Sequence, residues 1–184
     1  MDQPTHNSKM RVFFALWPKS AERARLAAWQ MPLKRLCGGR VMRDETLHCT
    51  LVFVGEIAQS RLEALQLAAQ EVSSGAFELC FDTAHYWGHN HIAYAAPGKV
   101  PTPLLHLVEM LEQRLARHRF KFDRRAYKPH VTLLRNAHWS DAPLPEMQPV
   151  CWQIKDFALV QSIQLDGLAS YRVLARFPLT TSGG

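Results

Sequence analysis

Apolar residues in this chain fall into short blocks with strand character, separated by stretches in which they recur at helical spacing. "RVFFALW" (Arg11–Trp17) reads as a first strand, closed by Pro18. From Ser20 onward Leu26, Trp29, Leu33 and Leu36 recur at helical intervals, and Pro32 predicts a kink or an early end near Met31. "LHCTLVFVG" (Leu47–Gly55) follows as a second strand. Ser60 and Glu63 form an S-x-x-E capping box, opening a helix in which Leu62, Leu65, Ala69 and Val72 share one face. "FELCFDTAHYW", a turn at Gly88-His89-Asn90, and "HIAYAAP" together predict a hairpin. Thr102 as N-cap and Pro103 at the first helical position open another helix, striped with Leu104, Leu107, Val108, Leu111 and Leu115. "YKPHVTLLRNA" (Tyr127–Ala137) is the next strand, and a proline-rich loop then leads to "CWQIKDFALVQSI" and "YRVLARFPL".

The order of these elements repeats. Strand, helix and a strand containing His-x-Thr begin near Arg11, Lys19 and His48, and again near His91, Thr102 and His130, an offset of about 80 residues each time. The pattern predicts an α+β fold: one bilobal domain over residues 1–184, with approximate repeats 11–90 and 91–179 and disordered tails at 1–9 and 180–184. Each lobe is expected to be an antiparallel sheet backed by helices, related to the other by a pseudo-two-fold axis, with a cleft between them.

At 184 residues such a chain buries roughly 70% of its unfolded surface and needs no covalent staples. Its four cysteines, Cys37, Cys49, Cys80 and Cys151, form no C-x-x-C pair. A disulfide framework or zinc site is therefore not expected, and a reducing cytoplasm fits. The polar N-terminus is no signal peptide, and no apolar run approaches a membrane span. The net charge of +6 and pI near 9.4 favour polyanionic partners such as RNA, although mild basicity is common.

Residues i and i+2 of a strand share a face. His48 and Thr50 thus point one way, while Leu47, Cys49, Leu51 and Phe53 point the other. His130 and Thr132 pair likewise, with Val131 and Leu133 behind them. Under a two-fold relation the polar faces line one cleft and present two imidazoles and two hydroxyls to a substrate. Such a set suits phosphodiester chemistry without a metal or cofactor: near-neutral conditions hold one imidazole neutral and the other protonated, and the threonines hold the phosphate oxygens. Histidine followed two residues later by Ser or Thr is a cheap match, and His6/Ser8 and His138/Ser140 are two further cases. Neither of those shares the His-apolar-Thr-Leu strand context at repeat-matched positions.

"HCTLVFVGE" and "KPHVTLLRNA" resemble the two signature motifs of the 2H phosphoesterase superfamily. The opening "RVFFALWP" and the closing "YRVLARFPL" extend the likeness to its bacterial RNA 2′,3′-cyclic phosphodiesterases, formerly 2′-5′ RNA ligases, over Arg11 to Leu179. The resemblance implies metal-independent opening of an RNA 2′,3′-cyclic phosphate end to a 2′-phosphate by a monomer, with reverse 2′-5′ ligation open to the same groups. It implies His48 as proton donor and His130 as proton acceptor, an assignment the spacing itself cannot make. The family's arginine five residues after the second histidine matches Arg135, which strict alternation puts on the wrong face, so a bulge or strand end after Leu134 is expected. Activity on 2′,5′-oligonucleotides or small cyclic phosphates, and a non-catalytic RNA-end-binding module, are the alternatives.

His85, His89 and His91 cluster at a hairpin tip without a carboxylate to complete a metal set. Arg40, Arg43, Arg124, Arg125 and Lys128 flank the motif strands and either steer RNA or form a solvated surface. Tyr127, Trp17 and Trp87 can stack a base, but packing is the simpler role for each.

Overall fold

The computed structural model describes residues 8–139 and 141–181, so most of the expected N-terminal tail, Ser140 and residues 182–184 lie outside the described residues. In chain order the elements are β1 (Lys9–Leu16), α1 (Ser20–Ala27), α2 (Gln30–Cys37), β2 (Arg40–Val41), β3 (Cys49–Ala58), α3 (Leu62–Gln70), β4 (Phe77–Phe81), β5 (Thr83–Trp87), β6 (Ile92–Ala96), α4 (Thr102–Arg117), β7 (Val131–Arg135), β8 (Val150–Ile154), β9 (Asp156–Leu165) and β10 (Leu168–Pro178). Antiparallel pairing gives the strand order β10-β9-β1-β3-β7-β6-β5, with β2 also on β7, and a separate β4-β8 pair.

Two lobes follow from this order: β10-β9-β1-β3, and β7-β6-β5 with β2. They are joined at one residue pair, Cys49 opposite Val131. The repeats in sequence are not the lobes in space. The second half's β9 pairs with the first half's β1, and the first half's β5 pairs with the second half's β6. Helices exchange as well: α2 follows β1 yet packs on β2 and β7, while α4, between β6 and β7, packs on α3 and β3. The counterpart strands β4 and β8 pair with each other.

Packing explains the interlock. β1 is buried on both faces: Val12, Phe14 and Leu16 enter the main core, whereas Phe13, Ala15 and Trp17 form a second cluster with Ala158 and Val160 under the cleft. A strand buried on both sides reads as a continuous apolar run, as "RVFFALW" does.

Several local expectations are corrected. The first helix splits at Ala28-Trp29, before Pro32, which lies in the first turn of α2 where its missing N–H has no helical partner to lose. The Ser60–Glu63 box does not cap α3; residues 59–61 form a 3₁₀ turn and no side-chain cap bond is made. Pro101 takes the N-cap position of α4, one residue before Thr102, with the extended backbone that proline favours. "FELCFDTAHYW" is two strands, broken at Asp82, whose Oδ1 accepts from the Gly98 N–H (2.6 Å). The expected tails are shorter: Lys9 opens β1, and Thr180 donates its N–H to Ser74 O (3.0 Å) and accepts from the Ala76 N–H (2.8 Å).

The cysteines are also corrected. Cys80 and Cys151 stand directly opposite in β4 and β8 and form a disulfide across a sequence separation of 71. Spacing along the chain cannot reveal a bond set by cross-strand register. Cys37 and Cys49 are free and buried.

Candidate active site

His48 and His130 are each the residue immediately before a strand, β3 and β7. The two backbones hold their rings alike. The Nδ1–H of His48 donates to Thr46 O (2.7 Å) and that of His130 to Lys128 O (2.7 Å), in each case the carbonyl two residues earlier. A carbonyl can only accept, so both neutral rings carry the proton on Nδ1 and keep Nε2 for the cleft. The Thr50 hydroxyl lies 3.1 Å from His48 Nε2 and donates to it while the ring is neutral.

A cleft of about 420 Å³ brings His48, Thr50, His130, Thr132 and Arg135 together. The two histidines are the only His, Cys, Asp or Glu among the described residues lining it. Arg135 reaches the cleft through a bulge, one residue earlier than expected: Ala93 pairs with Leu134 and Tyr94 with Thr132, so Leu133 is the extra residue. β3 does the same. Ala15 pairs with Thr50 and Phe14 with Val52, leaving Leu51 extra. That bulge turns Phe53 from the helix side, where strict alternation puts it, onto the cleft wall. In both motifs the residue five after the histidine is thereby delivered to the site: Phe53 in one, Arg135 in the other.

The bulged carbonyl of Leu133 is not orphaned. It accepts from the Met42 N–H (3.0 Å) and from Nε2 of Gln30 (3.1 Å), which also donates to Met42 O (2.8 Å). Gln30 is buried on the apolar side of α2, and a lone amide in such a stripe is the sequence signal for this clamp. Tyr127 is a positioning group too: its hydroxyl donates to Thr50 O (3.2 Å) beside the single-pair junction of the lobes.

Three rings surround His48. Trp17 is stacked on it at 5.4 Å between centroids, Phe13 lies at 5.0 Å, and Tyr171 meets it edge-on at 5.1 Å. Trp17 therefore packs at the base of the site. Burial pulls the His48 pKa down from 6.5 to about 4, against the support of the Thr46 carbonyl, and the charges of His130, Arg135 and Arg23 lower it further. His130 is lowered as well, chiefly by burial, with Arg135 adding to it. A site that holds its imidazoles neutral and lines its walls with arginine is prepared for an anion.

Arg11, Phe13, Phe53, Gln164 and Tyr171 also line the wall, and sequence reasoning did not single them out. The guanidinium of Arg11 sits 4.8 Å over the Phe53 ring. Arg11 pairs opposite Ser162 and Tyr171 opposite Ser162 in turn, so these residues form a row across three strands. Of the flanking cations, Arg43 donates to Ala169 O (2.6 Å), Arg125 pairs with Asp123, and Arg40 stands opposite Arg135. His91 shares a hydrogen bond with the Tyr86 hydroxyl (2.8 Å), and the three hairpin-tip histidines form no metal-holding group among the described residues; the one such group is Glu78, Cys80 and Cys151, whose thiols are joined.

The model of the 2′-5′ RNA ligase superfamily matches residues 16–173. The chain is 29% identical to the RNA 2′,3′-cyclic phosphodiesterase of Escherichia coli (strain K12), over 92% of this chain and 97% of that one. It is 27% identical to the RNA 2′,3′-cyclic phosphodiesterase of Thermus thermophilus, over 95% of this chain and 93% of that one. Among solved structures, E. coli LigT in complex with 3′-AMP superimposes with a TM-score of 0.83 at 28% identity, covering 94% of this chain and 99% of that one.

Proposed function

We propose that this chain, which belongs to the 2′-5′ RNA ligase superfamily, hydrolyses RNA 2′,3′-cyclic phosphate ends to 2′-phosphates by metal-independent acid–base catalysis. The observation that carries the reading is the pair of imidazoles held by equivalent backbones, each with Nδ1 anchored and Nε2 left for one shared cleft. Two relatives with this activity in their names support the substrate class.

In this reading His130 takes a proton from water, the water oxygen bonds to phosphorus, the P–O3′ bond breaks, and His48 gives its proton to O3′. Thr50, Thr132 and Arg135 hold the non-bridging oxygens as charge shifts in the transition state. One observation favours exchanged roles: His48 is lowered to about 4 and His130 less strongly, so the free site's first proton rests on His130. Both histidines come from one chain, and the reading is of a monomer. It places the protein in the cytoplasm with its RNA, where the Cys80–Cys151 bond would open to a dithiol away from the cleft.

The test uses a short RNA with a 2′,3′-cyclic phosphate end, in excess chelator, with the product identified by chromatography. Wild type should form the 2′-phosphate, and His48→Ala and His130→Ala should each lose roughly 10²–10⁴ in turnover. A substrate with sulfur at the 3′ bridging position needs no acid, so it should rescue His48→Ala selectively; rescue of His130→Ala instead would exchange the roles. Binding without turnover by wild type would leave an RNA-end-binding module, and preference for 2′,5′-oligonucleotides would shift the substrate class.

A further inference from the structure

Two cysteines, a glutamate and a glutamine stand together on the outer face of the β4–β8 pair. Alternate residues of these strands turn inward: Phe77, Leu79 and Phe81 from β4, and Val150, Trp152 and Ile154 from β8, lie in the main core. The residues between them turn outward, and the antiparallel register sets Glu78 opposite Gln153 and Cys80 opposite Cys151. Glu78, Cys151 and Gln153 are exposed and Cys80 is partly so. One ligand atom from each of Glu78, Cys80 and Cys151 lies within 4.8 Å of the other two. The carboxylate is held in place: its Oε2 accepts from Nε2 of Gln153 (2.7 Å), and its Oε1 lies 3.7 Å from Cys80 Sγ. Arg25 brings a cation to the pair, its Nη2 donating to Cys151 O (3.2 Å).

Once the two sulfurs are not bonded to each other, this group is a metal-ligand set. A disulfide makes no use of a carboxylate at its side, whereas a dication between two thiolates takes one as a third ligand. Tetrahedral zinc, with Zn–S near 2.3 Å and Zn–O near 2.1 Å, separates sulfur from oxygen by about 3.6 Å. Cys80 Sγ and Glu78 Oε1 already stand at 3.7 Å. The sulfurs would part to about 3.8 Å in such a centre, which side-chain rotation across a fixed strand pair provides. Gln153 orients the carboxylate, as outer hydrogen bonds do at metal centres. Two thiolates and a carboxylate carry one negative charge more than zinc neutralises, and Arg25 stands beside them. We propose that in its reduced form the protein binds one zinc ion through Cys80, Cys151 and Glu78, with water in the fourth position, as a clip between β4 and β8. Sulfur ligands favour zinc over magnesium and calcium, which take oxygen. No spacing along the chain marks the set, because cross-strand register assembles it.

The steps balance with small thiols as the reductant. Two of them reduce the Cys80–Cys151 bond, are themselves joined as a disulfide, and leave two protein thiols. Zinc then binds both sulfurs and releases their two protons to water. Oxidation of the pair expels the ion, so the two strands are tied by a disulfide or by a metal, never by both. None of the three ligands lines the cleft. The clip is structural and stands whatever reaction the cleft carries.

The experiment titrates the untagged full chain, stripped of metal and kept reduced with a phosphine, first with Co²⁺ and then with Zn²⁺. Cobalt reports its ligands, because thiolate coordination gives an intense near-ultraviolet charge-transfer band. Cys37 and Cys49, the other thiols, are buried and stay out of the readout. One equivalent of Co²⁺ should saturate the band, and one of Zn²⁺ should erase it. Zinc at a hundred times Kd should raise the thermal midpoint of the reduced protein by roughly 5–10 °C and leave that of the oxidised protein unchanged. Replacing Cys80 and Cys151 together by serine should abolish the band, and Glu78→Ala should weaken zinc binding at least about ten-fold. Should the double variant not fold, oxidised wild type is a folded protein without these thiolates and should bind neither ion. A reduced wild type that gives no band overturns the site. Zinc bound undiminished by the double variant or the oxidised protein also overturns it, and would put the ion on the hairpin-tip histidines. Unchanged affinity in Glu78→Ala would leave a bare dithiol and overturn the three-ligand site.

Discussion

At the scale of single residues the pairing of histidines was legible, but their protonation was not. An imidazole in water titrates near 6.5; three rings and a buried position hold His48 at about 4. The consequence has a definite sign. Below about pH 4 both imidazoles of the free enzyme are protonated and no base remains. Above the lowered His130 value neither is protonated and no acid remains. One shared proton exists only between, so kcat/KM should trace a bell whose maximum lies on the acid side of neutrality, with apparent values belonging to the pair. A profile over roughly pH 3.5–9 with its maximum above about 7.5 would contradict this. His48, Thr50, His130 and Thr132 could be read because i and i+2 share a strand face. The rings around His48 could not, because Tyr171 arrives from more than a hundred positions away in the sequence by strand pairing alone.

Elements show where a period-two rule stops holding. Up to Thr50 and Thr132 alternation describes the motif strands, and one residue later a bulge in each reverses it. Arg135 made the irregularity in β7 visible in the sequence, because the arginine matched by resemblance sat on the wrong face. Nothing comparable marked Leu51, and Phe53 was therefore assigned to the helices. The bulge in β7 also depends on the turn before β2. Gly39 has φ +92°, and a Cβ there would lie 2.7 Å from Arg135 O. Gly39→Ala combines a left-handed backbone with a clash against the backbone that presents Arg135. It should cost about 2–4 kcal/mol and lower the thermal midpoint by roughly 4–16 °C, with turnover on the cyclic phosphate reduced in the protein that remains folded. An unchanged midpoint by calorimetry would show that β7 yields freely at this point.

Across the whole molecule, the order of elements along the chain says which ones recur but not which ones meet in space. Periodicity reports which face of an element is apolar, not which sheet receives it, so the exchange of β5, β9 and the helices between halves had no local signal. The disulfide belongs to the same class of fact. It joins β4 to β8 and encloses a long loop, for which about 2–4 kcal/mol is typical. Replacing Cys80 and Cys151 together by serine should lower the thermal midpoint by roughly 4–16 °C while leaving turnover within about two-fold, since neither cysteine lines the cleft. A large loss of turnover at a temperature where the variant is folded would mean that the strand pair supports the site at a distance.

The exchange of strands and helices has a mechanical consequence. Two lobes meeting at one bridged pair would ordinarily swing like jaws about a hinge. Here each sheet is completed by strands from the other half of the chain, and α2 packs on β7 while α4 packs on β3, so the chain crosses repeatedly between the lobes. Parting them would break the Cys49–Val131 pair and pull α4, which joins β6 to β7, away from β3. These crossings oppose a hinge opening, so the spacing of the two imidazoles should change little between the free and the ligand-bound protein.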